Sequence, residues 1–202
     1  IERYHQILDR LTGQGLRPRF RHTACSAAAI AYPQTIHDMV RIGILQYGYW
    51  PSEETRIYHF KRTGRADNPL RRLITWRSRV MAVKRVEAGE FVGYGTTYLA
   101  PRRITVASVP VGYGHGYARA LSNQGRVLVR GRRVSVIGIV NMNMLMANVT
   151  NVHGVRVGDE VVLIGTQGRQ SLPVSSFAEL SNQLNYELLT RLPRDIPRQI
   201  VE

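Results

Sequence analysis

The chain has 202 residues, 44% of them hydrophobic, enough for a buried core in one or two domains, and no stretch reaches the roughly 18 uninterrupted apolar residues that a membrane span needs. Its start lacks the charged, apolar, small-residue order of a signal peptide, and a single cysteine, Cys25, offers no intrachain disulfide; both suit a cytoplasmic, reducing compartment. The formal net charge is +14 and all but Lys61 and Lys84 of the 28 basic residues are arginine, yet they are spread without a dense basic block, which favours a solvated basic surface over a nucleic-acid interface.

The opening IERYHQILDRL is predicted to be an amphipathic helix over residues 1–12, with Ile1, Tyr4, Leu8 and Leu11 on one face and Gly13 and Gly15 ending it; it reads like the middle of a longer protein. RPRFRHTA then extends towards a polar strand end at His22 and Thr23. Ser26 caps a short Ala-rich helix ending near Pro33, and Ile36 to Arg41 suggests a further helical turn before Gly43, Ile44 and Leu45. Alternating short helices and strands are the grammar of an α/β barrel or a doubly wound sheet, but residues 1–50 are too few to close either.

After Pro51 the pattern changes. The charged stretch 52–69 reads as a linker-like excursion, and short β-branched runs follow: Leu73 to Val86, Ile104 to Val111, Arg126 to Val129, Val134 to Val140, Met144 to Val149 and Glu160 to Ile164. They predict a small all-β domain over residues 51–202, closed or partly closed into a barrel, with a late helix around Ser175 to Leu184. Within it, Tyr94 and Tyr113 are each flanked by glycines near strand ends, where a phenol can point into a cleft; on spacing alone, barrel caps are the plainer reading.

Seven blocks in order, HTACSAAAIAYP, DMVRIGILQYG, AGEFVGYGTTYLA, VPVGYGHGYARALSN, VIGIVNMNMLMANVT, VGDEVVLIG and NQLNYELL, resemble the C-terminal part of alanine racemases, pyridoxal-phosphate enzymes of fold type III. The resemblance implies an α/β plus all-β architecture: the terminal units of a β/α (TIM-like) barrel in residues 1–50, then a C-terminal β-barrel-like domain in 51–202. It also implies a homodimer whose active site is shared across the interface, an amino-acid substrate, and no nucleic acid, membrane or metal. The lysine that forms the Schiff base in the family belongs near the start of the barrel, and neither Lys61 nor Lys84 matches its context.

Residue by residue, the resemblance makes Tyr94 the acid/base catalyst opposite that lysine. An unperturbed phenol titrates near 10, so nearby positive charge, for which His22 and Arg41 are candidates, is needed to stabilise its phenolate. Arg41 matches the arginine facing the cofactor's pyridine nitrogen; its spacing alone suggests a helix-end pair with Asp38. Ser26, Gly43, Ile44 and Tyr186 match the phosphate cradle, Met142 lies near the substrate carboxylate, and Tyr113 lines the substrate entrance. Asn143, Asn148 and His115 stand where many relatives carry acids. Two other readings from the same residues are an Arg-rich β-barrel RNA-binding module, and a racemase-like relic or dimerisation domain without catalysis.

Overall fold

The computed structural model describes residues 1–177 and 185–201, and the chain divides into two compact units, 1–73 and 74–202. In the first, helix α1 spans Glu2–Gly13; it buries no residue fully, and Tyr4, Leu8 and Leu11 are the partly covered positions of its apolar face. Strand β1 (His22–Cys25) runs parallel to β2 (Met39–Arg41), with His22 opposite Met39 and Cys25 opposite Arg41. Helix α2 (Ser26–Ala31) makes the crossover, so this is a βαβ unit of the kind parallel sheets require. The helical turn expected over Ile36 to Arg41 is instead a 3-10 turn at Pro33–Thr35 followed by β2, because Pro33 starts the turn with its fixed φ and Met39–Arg41 pair with β1.

The stretch read as linker-like holds a helix, α3 (Glu53–Thr63). Its signals are terminal: the Ser52 hydroxyl accepts from the Thr55 N–H, Glu53 and Glu54 occupy the first turn, Lys61 and Arg62 the last, and Gly64 adopts the left-handed C-cap. An ion pair between Arg56 and Glu53 reinforces the first turn. Ala24, Ser26, Thr35, Ile44, Gly48, Tyr49 and Thr55 are the buried residues of this unit.

The second unit is mostly antiparallel. Its strands are β3 (Trp76–Arg79), β4 (Ala82–Val86), β5 (Ile104–Val109), β6 (Arg126–Val129), β7 (Arg132–Ile137), β8 (Leu145–Asn148), β9 (Glu160–Gln167) and β10 (Gln170–Leu172), followed by helix α4 (Asn185–Arg191). The sheet order is β10-β9-β6-β7-β8-β5-β4, with β3 also on β9. Leu73 to Val86 is therefore two strands. The backbone is bonded to Asp159 and Gly158 at Val80 and to Ser108 at Met81, so it changes partner from β9 to β5 there and joins the two edges of the sheet. This closure leaves fewer exposed edges, with β10 paired to β9 alone, and relief of edges is the usual reason for a small β domain to form a barrel.

Inside, Val161, Val162, Leu163 and Ile164 are buried in sequence, which means that β9 is covered on both faces. The same unit holds a cluster of aromatics: Tyr117 lies 5.3 Å from Phe177 edge-on and 6.2 Å from Trp76 between ring centroids. Burial raises the Tyr117 hydroxyl above its ordinary titration range, and it donates to the Arg126 carbonyl. Of the late helix expected around Ser175 to Leu184, residues 178–184 lie outside those described.

Candidate active site

In the first unit the βαβ connection brings three of the expected residues together. Ser26, the first residue of α2, is buried, and its hydroxyl oxygen accepts from the Gly43 N–H at 2.9 Å. Gly43 directly precedes a 3-10 turn, Ile44–Tyr47, whose first N–H groups, that of Ile44 included, have no acceptor within the turn. With its oxygen engaged as acceptor, the Ser26 hydroxyl still has a proton to donate. The result is a small set of neutral donors beside the C-terminal ends of two parallel strands, which suits a phosphate dianion.

His22 and Arg41 occupy the same pair of strands. The His22 Nδ1 lies 3.1 Å from the Met39 carbonyl, and since a carbonyl only accepts, Nδ1 carries the proton and Nε2 is free to accept when the ring is neutral. Arg41 is exposed on β2. It does not pair with Asp38 as its spacing suggested: Asp38 accepts two bonds from the Arg21 guanidinium and one from the Arg21 N–H, which push its carboxyl down to about 2. That leaves Arg41 with no ion pair among the described residues. Sequence reading missed a neighbour of Arg41. Cys25 faces it across the strands, and its thiol is drawn below its ordinary range mainly by the Ala28 N–H, with smaller help from Ala27 and from the Arg41 charge.

The second unit carries the remaining candidates. Tyr94 is 78% exposed between Gly93 and Gly95, both at φ +77°, a conformation that a side-chain-bearing residue adopts only at a cost. This turn tops a narrow ribbon, closed by the Phe91–Leu99 bridge and by bonds from Val92 N–H to Tyr98 and Ala100 N–H to Glu90. Tyr113 and Met142 are neighbours: the Tyr113 N–H donates to the Asn141 carbonyl at 3.0 Å and the Gly114 N–H to the Met142 carbonyl at 2.9 Å. Gly112 permits this approach, because a Cβ there would lie 2.0 Å from the Asn141 oxygen. The His115 Nδ1 accepts from the Gly112 N–H and fastens the turn from below, a role that the sequence alone did not suggest. Tyr186, on α4, is partly exposed. Among the described residues no three His, Cys, Asp or Glu side chains are grouped to hold a metal ion, and no helix is long and apolar enough to cross a membrane.

Known proteins resemble the chain over nearly its whole length. Residues 1–51 match the family profile described as alanine racemase, N-terminal domain, and residues 73–200 that described as alanine racemase, C-terminal domain. The alanine racemase of Symbiobacterium thermophilum is 41% identical over 98% of this chain and that of Halothermothrix orenii 40% identical over 98%; in each case the match covers 50% of the relative. Among solved structures, alanine racemase from Bacillus anthracis with bound L-Ala-P superposes with a TM-score of 0.84 at 33% identity, covering 94% of this chain and 47% of that one. The Streptomyces coelicolor A3(2) enzyme gives 0.84 at 31%, covering 98% and 49%. The chain thus spans about half the length of the relatives it matches, and these enzymes have the α/β plus all-β architecture expected from the sequence. With its two profiles and its solved neighbours in agreement, the chain belongs to the alanine racemase family.

Proposed function

We propose that this chain carries the tyrosine-bearing half of a pyridoxal-phosphate-dependent alanine racemase, which interconverts L- and D-alanine and supplies the D-alanine of peptidoglycan precursors. The observation that carries this reading, beyond family membership, is the donor set around Ser26: a buried hydroxyl tied to the Gly43 N–H, with the Ile44 N–H beside it. In this reading residues 1–50 are the closing units of the β/α barrel, residues 51–202 the β domain, and Ser26, Gly43, Ile44 and Tyr186 hold the cofactor phosphate.

When bound, pyridoxal phosphate draws electrons from the substrate α-carbon and acidifies its hydrogen. Arg41 would stand at the ring nitrogen and, as a guanidinium without an acceptor, would only donate to it. Tyr94 takes or returns the α-proton at its phenolic oxygen on one face of the substrate, and a lysine from the missing barrel half serves the other face. His22, oriented by the Met39 carbonyl, and the Arg41 charge act behind them to favour the phenolate. Tyr113 and Met142 border the substrate entrance and the carboxylate. The exposure of Tyr94 supports a homodimer in which the β domain delivers it to the partner's cofactor.

The test is a chimera joining this chain to the barrel half of the Symbiobacterium thermophilum relative. Once folding and cofactor loading are confirmed, L-alanine is expected to yield D-alanine by chiral chromatography, and Tyr94→Phe to lower the rate by at least about 100-fold. A folded, cofactor-loaded chimera without D-alanine formation, or an undiminished Tyr94→Phe variant, overturns the proposal.

A further inference from the structure

The arginines of the β unit are not equivalent. Four of its carboxylates are held in ion pairs: Glu87 by Arg103, Asp159 by Arg130, Glu160 by Arg77 and Glu187 by Arg191. Arg102 and Arg132 have no such partner among the described residues, and Arg133 gives one guanidinium N–H to the Ser171 carbonyl at 2.9 Å. These three arginines come from two separate segments, the loop before β5 and the start of β7, and line one cleft of about 230 Å³ without a carboxylate in its wall.

The rest of the wall adds donors. Asn148 Oδ1 accepts from both the N–H and the hydroxyl of Thr150, at 3.1 and 2.6 Å. A backbone N–H can only donate, so this atom is the amide oxygen, and the remaining capacity of Asn148 is its NH₂. The Thr150 hydroxyl gives its proton to Asn148 and accepts from the Thr105 N–H, so it has no proton left for a ligand. Ser135 contributes a further hydroxyl from β7. Three cations and an amide donor, with the Asn148 oxygen already engaged, disfavour a cation and leave the cleft short of negative charge.

We infer that this cleft binds an oligophosphate, two or more linked phosphate groups, either free or as part of a nucleoside di- or triphosphate. A lone phosphate carries roughly −1.5 to −2 at neutral pH, less than three guanidiniums balance, and guanidinium forks match phosphate edges one to one. Two linked phosphates supply both the extra charge and a second edge. Arg133 is held by its bond to β10, and Arg132 shares its strand, so part of the ordering cost falls on the fold rather than on binding.

The experiment is calorimetric titration of the 202-residue chain, free of divalent cations, with pyrophosphate, ADP, inorganic phosphate and a labelled single-stranded RNA. Saturable one-to-one binding of pyrophosphate or ADP is expected, at least tenfold tighter than inorganic phosphate, and the tighter of the two distinguishes a free from a nucleotide-borne source. Each of Arg132→Gln and Arg133→Gln should weaken it about tenfold. Both are exposed positions where glutamine keeps a donor, and circular dichroism checks that the fold is retained. Arg10→Gln, on α1 in the other unit, should leave binding unchanged. Absence of saturable binding, an equal loss in Arg10→Gln, or RNA binding tighter than pyrophosphate and lost with the same two substitutions overturns the inference, the last in favour of an extended polyanion.

Discussion

Replacing Gly112 by alanine tests whether the Tyr113 turn is built on close approach. The new Cβ would lie 2.0 Å from the Asn141 oxygen and 2.5 Å from the Met142 oxygen, both backbone atoms that cannot swing aside. The φ of Gly112 is −145°, extended backbone open to any residue, so the penalty is contact alone. Relief requires the 141–142 segment to retreat by more than about 1 Å. That stretches the Tyr113 and Gly114 N–H bonds, about 1 kcal/mol each, and adds about 1–3 kcal/mol of overpacking strain, together about 4 kcal/mol. Gly93→Ala is the contrasting case: nothing lies within 4 Å of its added Cβ, and the cost, about 1 kcal/mol, comes from φ +77°. Urea unfolding followed by Trp76 fluorescence, in a Trp50→Phe background that makes the buried Trp76 the sole reporter, measures both. Amide exchange at Tyr113 and Gly114 localises the first. A Gly112→Ala protein within about 1 kcal/mol of its parent, with those amides still protected, refutes the reasoning.

Three other outcomes are expected. Ser26→Ala strands the Gly43 N–H and removes a donor, so stability should fall by about 1–2 kcal/mol in urea titration and pyridoxal-phosphate affinity at least tenfold in equilibrium dialysis. Asp38 titrates at about 2 in the folded chain against 3.8 unperturbed, a depressed value; its contribution to stability is therefore complete above about pH 4 and lost as pH falls through 2, and Asp38→Asn should flatten the acid limb in that window. In the racemase chimera in deuterated water, Tyr94→Phe should stop racemisation in both directions while α-hydrogen exchange persists for D-alanine, whose hydrogen faces lysine; equal loss of exchange for both enantiomers contradicts that facial assignment.

The strands were most legible where turn chemistry and β-branching coincide. Arg126–Val129 lies between Gly125 and the Arg130–Gly131 loop, whose two residues both have positive φ, the signature of a tight hairpin. β7 begins two residues earlier than its apolar pattern because Arg132 and Arg133 pair through backbone and keep their side chains outside. β9 runs three residues past the expected end at Ile164, through Gly165 to Gln167, and β10 has too few apolar residues to announce itself. The partner change at Val80 and Met81 is invisible to a period-two pattern, since both strands alternate alike across it. Helix α3 was hidden by the lack of an apolar stripe, although its caps were written in Ser52 and Gly64. At the site, the Ser26–Gly43 bond and the Arg21–Asp38 pair each join residues 17 apart across β1 and β2; only a parallel register brings them together, and no local spacing reports it.

The candidate residues of the β unit share a physical arrangement. Tyr94, Tyr113 and Met142 are 78%, 44% and 56% exposed, yet each lies on backbone fixed from several directions. The Tyr94 ribbon is bridged at Phe91 and Leu99. Below it Asn123 donates to Thr97 and accepts from the Gly138 N–H, while Gly138 leaves no room for a Cβ beside the Val92 carbonyl. An exposed aromatic on a mobile loop loses its freedom when it meets a ligand, and that loss is subtracted from binding or from the rate. Here the barrel has already fixed the backbone that bears the phenol, so only side-chain torsions are left to order when it meets a ligand. The rigid turn and the outward side chain are the same device, and altering Gly93 or Gly112 should shift the position of a phenol without touching it.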